Sequence, residues 1–303
     1  MAKTFNEMKT NVGNMVMDTT AAFATLIGRW LNDKYHDVWQ KYHFSDVINN
    51  NYTLTLISGT AEYNLPSDFE VEMAVSDTTD GFKLGRMNER MWWENRTEAY
   101  SGGTITQGTA TRYVILQERI KSDGSGFGKI AFDPTPNNTH TIAMPYKRKC
   151  EDLISVTGTC TTDTANKVIA SASTFITSGV KPGMRIKNTT DTTYSIVTSV
   201  DSETQLTVET DVCPDGNETF EIFTSPVIRD IEYILECGAI SEAWLYKRQY
   251  QKASDFLQKY EYELKKRIGR ENTQPNQRYQ WIPERGGPSA IEPFTGWASY
   301  DTI

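Results

Sequence analysis

Histidine is scarce in this chain, with three among 303 residues, and cysteine is little commoner, with four. His36 and His43 stand seven apart and so share one helix face, but no third ligand is placed beside them and His140 is remote, so no metal spacing emerges. Cys150, Cys160, Cys213 and Cys237 are spread widely, with neither a C-x-x-C pair nor a histidine cluster nearby. They read as reduced, partly buried thiols, and a reducing compartment argues against a Cys160–Cys213 disulfide. No apolar run approaches the ~18–20 residues that cross a bilayer. Met1 to Gly13 carries lysines and polar residues where a signal peptide would hold its apolar region. The expectation is a protein made in the cytoplasm, with no membrane partner.

Catalytic signatures are missing as well. There is no G-x-S-x-G, H-E-x-x-H or P-loop. Gly124-Ser125-Gly126-Phe127-Gly128 has the glycines of a phosphate loop but no following helix with Lys-Ser/Thr, and reads as a flexible loop. Acidic residues are plentiful, and any two could pose as a glycosidase pair, so they single out nothing. No enzyme activity and no cofactor are expected. Positive charge is also in deficit: 31 Lys and Arg against 39 Asp and Glu leave a net charge of −8. That excludes a generic nucleic-acid wrapper, which needs basic surface to displace counterions. It is compatible with a channel through which DNA slides without sticking. Tyr246-Lys247-Arg248-Gln249-Tyr250 and the stretch from Lys259 to Arg270 interleave bases with aromatics, and read as solvated helix faces.

What the chain does have is periodicity. Thr4 to Met17 reads as a short helix, and Asp18, Thr19 and Thr20 offer caps for a second. From there Phe23, Leu26, Ile27, Trp30, Leu31, Tyr35, Val38, Trp39 and Tyr42 recur every three or four residues and define an apolar stripe. The period then changes to two. Tyr52, Leu54 and Leu56 form one strand, and Glu62 to Leu65 a short one stopped by Pro66. Phe69, Val71, Met73 and Val75 predict a third with one buried face. Met87 to Tyr100 reads as a helix. Tyr113–Leu116, Lys129–Phe132 and Thr141–Tyr146 read as strands, the last two joined by Pro134 to Asn138 as a hairpin loop.

Cys150 to Thr224 is threonine-rich, poor in Lys and Arg, and has no helical period. Val168–Ala170, Met184–Lys187, Tyr194–Val200, Gln205–Glu209 and Thr219–Phe223 are strand candidates, which suggests a small barrel or sandwich. Helix then resumes, with Ser225 as N-cap, Pro226 in the first turn and a broken stripe running from Ile228 through Trp244, Tyr250, Phe256 and Tyr260 to Ile268. Gly238 is a candidate kink and Gly269 a candidate stop. A continuous helix from Pro226 to Ile268 would be about 60 Å long. A compact chain of this size is about 50 Å across, so such a helix would overreach its own domain and lean on another subunit. The last segment, 270–303, holds Pro275, Pro283, Pro288 and Pro293 yet also Tyr279, Trp281, Phe294, Trp297 and Tyr300, aromatics that disordered tails usually lack.

The predicted class is therefore α+β: a long-helix bundle with a small antiparallel sheet, an inserted all-β domain and an extended arm. Residues 1–149 and 226–269 would form one discontinuous core, with 150–225 inserted and 270–303 as the arm. Trp30, Trp39, Tyr42, Trp244, Tyr250, Phe256 and Tyr260 are expected to pack helices or contact a second subunit. Tyr279, Trp281, Phe294, Trp297 and Tyr300 are expected to dock the arm on a partner.

Three stretches also carry a family resemblance. Trp30-Leu31-Asn32-Asp33-Lys34-Tyr35 with Val38-Trp39, followed by Gly59-Thr60-Ala61-Glu62-Tyr63-Asn64-Leu65-Pro66-Ser67-Asp68-Phe69, resembles the opening of phage head-completion, or connector adaptor, proteins. Lys129-Ile130-Ala131-Phe132-Asp133-Pro134-Thr135-Pro136 with Pro145-Tyr146 resembles the same family's central hairpin. Val180-Lys181-Pro182-Gly183-Met184-Arg185-Ile186, continuing through Ile196 to Val200-Asp201-Ser202-Glu203-Thr204-Gln205-Leu206-Thr207, resembles a β-module spliced into phage connector and tail proteins. The resemblance implies a virion protein that forms a ring of itself, commonly twelve copies, beneath the portal. It would continue the DNA channel and join capsid to tail or nozzle proteins, with double-stranded DNA passing unread. A tail, baseplate or fibre-anchoring protein shares the β-module, and a carbohydrate-binding surface protein is the remaining alternative.

Overall fold

Helix α1 (Phe5–Val16) starts because Thr4 and Glu7 form a capping box: the Thr4 hydroxyl accepts the Glu7 N–H at 3.1 Å, and the Glu7 carboxylate accepts the Thr4 N–H at 2.9 Å. It stops because Met17 turns left-handed at φ 54°, so that the Met17 and Asp18 N–H groups reach back to the carbonyls of Asn14 and Gly13. Helix α2 (Ala21–Lys41) is capped by the Thr20 hydroxyl. Its buried positions, Phe23, Ile27, Leu31, Tyr35, Val38 and Trp39, fall on the stripe the sequence displays. In the computed structural model the described residues are 3–42, 44–100, 107–116 and 128–272.

The second helical region differs from the expectation of one long rod capped by Ser225. Residues 226–231 are irregular, α4 runs Glu232–Tyr246, and α5 runs Tyr250–Asn272. The break falls at Lys247-Arg248-Gln249, where Arg248 adopts φ 58° and the three N–H groups are taken up by the carbonyls of Ala243, Leu245 and Trp244. α5 then folds back along α4, with the Ser241 hydroxyl donating to the Ala253 carbonyl at 2.8 Å and Arg267 donating to the Arg229 carbonyl at 3.0 Å. The cause is burial. α4 carries Ile234, Leu235, Cys237, Ala239, Ile240 and Ala243 around its circumference, and a helix apolar on all sides must be covered on all sides.

Gly238 is thus no kink. A Cβ there would meet the Lys34 Cγ at 2.9 Å and the Tyr260 ring at 3.1 Å, so it is the point where α2 and α5 press closest on α4. Gly269 does not stop α5, which runs on through Asn272. Folding the rod in two also removes the overreach: α5 is about 35 Å long at its 23 residues. The length argument for a second subunit falls with it.

Among the described residues the chain is α+β, with five α-helices and several small sheets rather than one long bundle on one sheet. Helix α3 (Glu89–Tyr100) follows the first strands. Ile48–Asn49, Tyr146–Arg148 and Phe69–Glu72 form a three-stranded sheet. Glu62–Asn64, Lys129–Asp133, Arg112–Leu116 and Gly85–Arg86 form a four-stranded one, and Thr53–Leu56, His140–Ala143, Ser76–Asp77 and Phe82–Lys83 another.

Two further expectations are corrected here. Lys129–Asp133 and His140–Ala143 lie in different sheets and make no hairpin. Pro134 and Pro136 cannot donate to a ladder, and the Thr135–Pro136 step instead pairs in parallel with Gln107–Gly108 as the chain passes between sheets. The predicted face of the strand at Phe69–Glu72 is buried only at its ends: Phe69 packs on a core and Val75 is fully buried, while Val71 is 50% and Met73 59% exposed. Glu72 is the residue turned inward, held by Arg86 at 2.9 Å and by the Tyr113 hydroxyl at 3.4 Å, so an edge strand has exchanged apolar burial for an ion pair.

Residues 155–223 form a six-stranded antiparallel half-barrel in the order Ser155–Thr159, Thr219–Phe223, Arg185–Asn188, Tyr194–Val200, Gln205–Val208, Lys167–Ile169. Five of these strands are readable from the sequence. The sixth, Ser155–Thr159, is masked by Gly158, which is there because a Cβ would sit 2.6 Å from the Phe220 ring and 2.9 Å from the Ser173 hydroxyl. Cys160, Phe175, Ile186, Val197, Leu206 and Phe220 make its own core, separate from that of the helices. Cys160 and Cys213 lie side by side there as free thiols, and their hydrogen bond together with burial pushes the Cys213 thiol far up. The half-barrel is tied to the helices by Asn6 to Ser155 at 2.8 Å, Lys187 to Glu7 at 2.7 Å, and Asn32 to both backbone groups of Leu153 at 2.9 and 3.2 Å. Gly158→Ala is expected to overpack this core and cost about 1–3 kcal/mol, lowering the urea midpoint; an unchanged midpoint would contradict the packing described.

Candidate functional site

The helices position the aromatic residues that the sequence singles out, and they do so in three ways. Trp39 and Tyr260 are buried inside the chain. The Trp39 indole donates to the Arg148 carbonyl at 3.1 Å, and its ring meets Tyr35 edge-on at 5.7 Å. Burial pushes the Tyr260 phenol far above its ordinary value. Trp30, Tyr42, Trp244 and Phe256 are half-buried at the rim of the helical core. Trp30 packs on Phe23 and Tyr246 with ring centroids 5.7 and 5.8 Å apart, and the Lys252 ammonium lies 4.2 Å from the Trp244 ring. Tyr250 stands free at the head of α5, 67% exposed. Tyr279, Trp281, Phe294, Trp297 and Tyr300 lie outside the described residues.

Sequence reasoning missed two features. The first is a set of apolar side chains left on the surface of the helical layer: Met15 and Met17 at the end of α1, Tyr233 and Leu245 on α4, Leu257 and Tyr262 on α5. Single exposed apolar residues are ordinary. Here they are distributed over α1, α4 and α5, which pack on one another.

The second is an ionic latch at the foot of α5. The Arg267 guanidinium donates to Asp46 and to Glu271, each at 2.9 Å, and lies 5.2 Å over the Phe44 ring. Arg229 reaches the other Asp46 oxygen at 2.8 Å. Glu271 also accepts the Ser45 N–H at 2.8 Å and its hydroxyl. The latch fixes the end of α5, and so the point from which residues 273–303 depart, against the 3₁₀ turn at Ser45–Val47. Its two sides, Ser45 and Asp46 on one and Arg229, Arg267 and Glu271 on the other, lie 183 to 226 residues apart, so no local pattern joins them. Burial works to raise the Glu271 carboxyl, but the bonds from Ser45 and Arg267 overcome it and hold the group below the usual carboxylate range.

Two clusters have side chains of the type that bind metals. His140 Nδ1 lies 2.8 Å from Asp77 and 3.7 Å from Asp80, and Asp191, Asp215 and Glu218 gather on the half-barrel. In the first, Asp77 already accepts the N–H groups of Thr79 and Asp80 and serves to close the turn at residues 77–83. His36, which the sequence leaves without a partner, pairs with Asp152 at 2.6 Å. Among the described residues no helix is long and apolar enough to cross a membrane.

Among the described residues these features are packing surfaces and a long-range ion-pair network. The family model described as SU10 adaptor protein matches residues 3–280. The chain belongs to this family. It is accordingly a structural adaptor protein of the phage type, a component of the virion. No curated protein matches the chain. The match takes in all five helices, the sheets and the half-barrel, and ends one residue past Tyr279, short of Trp281, Phe294, Trp297 and Tyr300.

The adaptor's latch yields a test. A carboxyl held below its unfolded value contributes stability that is complete above the unfolded pKa, about 4.3, and is lost as pH falls through the lower folded value. Amide protection at residues 264–272 is expected to fall between pH 5 and 3, and Glu271→Gln to flatten that dependence; protection that ignores pH in the native chain would contradict it. Arg267→Ala, which leaves Asp46 to Arg229 and Glu271 to Ser45, is expected to cost about 1.5–3 kcal/mol in a denaturant titration.

Proposed function

We propose that the adaptor assembles as a closed ring of identical copies beneath the portal, continues the DNA channel, and joins the capsid to tail or nozzle proteins. The observation that carries this reading is the family match over residues 3–280, which covers the whole described fold. Three features support it. The helical layer leaves apolar residues on adjacent helices, as an interface between copies requires. A net charge of −8 suits a wall that double-stranded DNA passes without adhering. The latch holds the root of the C-terminal segment rigid, as a docking arm needs.

In this reading residues 1–149 and 226–269 are one discontinuous core, residues 150–225 an inserted β domain, and residues 270–303 the arm that reaches a partner. Trp30, Tyr42, Trp244, Tyr250 and Phe256 are the candidates for contact between copies. Tyr279, Trp281, Phe294, Trp297 and Tyr300 are the candidates for contact with the portal. Trp92 of α3 and Trp39 of α2 are each taken into a core, which withdraws these two from any platform for sugars.

The test is a truncation. Removing residues 273–303 is expected to leave a chain with native circular dichroism that no longer co-purifies with portal rings or assembles onto capsids. Normal infectious particles built from that truncation would overturn the arm.

A further inference from the structure

Helix α3 sets an arginine over a tryptophan one turn back. The Arg96 guanidinium carbon lies 4.3 Å from the centre of the Trp92 ring, at the i, i+4 spacing that puts two side chains on one helix face. Stacking covers the flat face of the guanidinium and leaves its N–H groups to be met at the edge. Among the described residues nothing meets them: Arg96 makes no hydrogen bond and no ion pair, and its Nη2 is shut from water. The buried Trp92 N–H lacks an acceptor as well.

A cavity of ≈ 330 Å³ opens beside this pair. Its walls are the turn at Gly59–Glu62, Arg96, and the paired residues Gln107 and Thr135. Thr135 is 6% exposed, and its hydroxyl has no partner among the described residues. The Thr60 hydroxyl and the Gln107 amide stand on the same walls without partners among those residues. The backbone donors of the turn are committed elsewhere: the Gly59 N–H goes to the Pro136 carbonyl at 2.8 Å, and the Thr60 N–H to the Ile57 carbonyl at 3.1 Å. The carboxylate on these walls, Glu62, is paired with Lys129 at 3.5 Å and not with Arg96.

We infer that this cavity binds a tetrahedral oxyanion of the phosphate type, with Arg96 as its charge partner and Thr60, Gln107 and Thr135 as its neutral donors. The first argument is charge. A guanidinium nitrogen withdrawn from water without an acceptor is costly, and an oxyanion supplies both the acceptor and the missing counter-charge, through hydrogen bonds stronger than those between neutral groups. The second argument is direction. Arginine only donates, and hydroxyls and amides donate as well as accept, so four donor side chains enter from three separate pieces of chain. A planar carboxylate is satisfied from one side by a single guanidinium fork. Donors arriving from several sides match an anion that carries oxygens all round. The cavity is at the small end of ligand sites, with room for such an ion and some of its water. Inorganic phosphate and the phosphodiester of a nucleic acid present these same oxygens. A single copy holds every residue named, so this inference stands apart from the ring reading.

The test titrates the full chain with inorganic phosphate in chloride buffer of fixed ionic strength, read by phosphorus NMR line broadening. The expected result is saturable binding that sulfate displaces and acetate does not. Arg96→Met, which keeps an apolar stem over Trp92, should weaken it about tenfold or more, and Thr135→Val, which keeps the shape and removes the hydroxyl, about threefold or more, both with native circular dichroism. Should Arg96→Met lose the native spectrum, Thr135→Val and the competition decide. A short DNA duplex that displaces the phosphate identifies a phosphodiester as the source, and one that does not identifies the free ion; the site stands in both cases. No saturable binding, binding unchanged in the folded variants, or displacement by acetate as effective as by sulfate would overturn the inference.

Discussion

The burial of α4 is the constraint on which the rest of the structure depends. Its residues from Ile231 to Ala243 are almost all withdrawn from water, including Glu236 and Ser241, and no single neighbour can achieve that. α5 follows directly and covers one side by folding back. α1 and α2 cover two more, but they lie at the other end of the sequence, some 190 residues upstream of α4. The intervening chain must therefore leave the helical layer and return to it. The entropy of closing so long a loop grows only with the logarithm of its length, so the small sheets and the half-barrel can be carried within the excursion at little extra cost. The links from Asn6, Glu7 and Asn32 to the half-barrel then set its orientation on the helices.

What could be read from the sequence was what local chemistry decides. Thr4 with Glu7, and Thr20 before Phe23, mark helix starts through hydrogen bonds made within a few residues. The α2 stripe follows from a period that any chain must honour. Tyr194–Val200 and Thr219–Phe223 were legible as strands to the residue. The failures are equally instructive. The hairpin between α4 and α5 turns on Arg248 in a left-handed conformation, where a glycine would have announced it. Gly238 and Gly158 look like weak points in a helix and a strand, and both mark close contact with residues distant in sequence. The alternation at Phe69–Val75 holds at its ends, where Phe69 and Val75 pack inward, but between them Arg86 and Tyr113 take Glu72 and leave Val71 and Met73 outside.

The functional surface was legible only in outline. Trp30 and Trp39 share one periodic stripe and Tyr260 sits on another, yet the fold sends Trp39 and Tyr260 to the interior and leaves Trp30 at a rim. Met17, Tyr233 and Tyr262 carry no pattern that distinguishes them, because exposure is a property of packing between helices. The latch is a long-range charge network of the same kind: Asp46 looks like a turn residue and Arg267 like a dipole partner until the chain brings them together. Such buried networks are poor sources of net stability but hold geometry well, which is what the root of an arm requires. In the proposed assembly the working surface is this layer of helices with its latch, and its chemistry is burial, shape and position.

The claim at the centre of this account is that the chain works as one copy in a closed assembly at the junction of capsid and tail. Cryo-electron microscopy of the neck of virions that carry it tests this most directly. The account predicts a symmetric ring at that junction into which the α1, α2, α4 and α5 layer fits copy against copy, with apolar residues such as Leu245, Tyr246 and Tyr250 covered. Virions whose neck lacks this chain, or which hold it as an isolated copy with those residues in solvent, would contradict it.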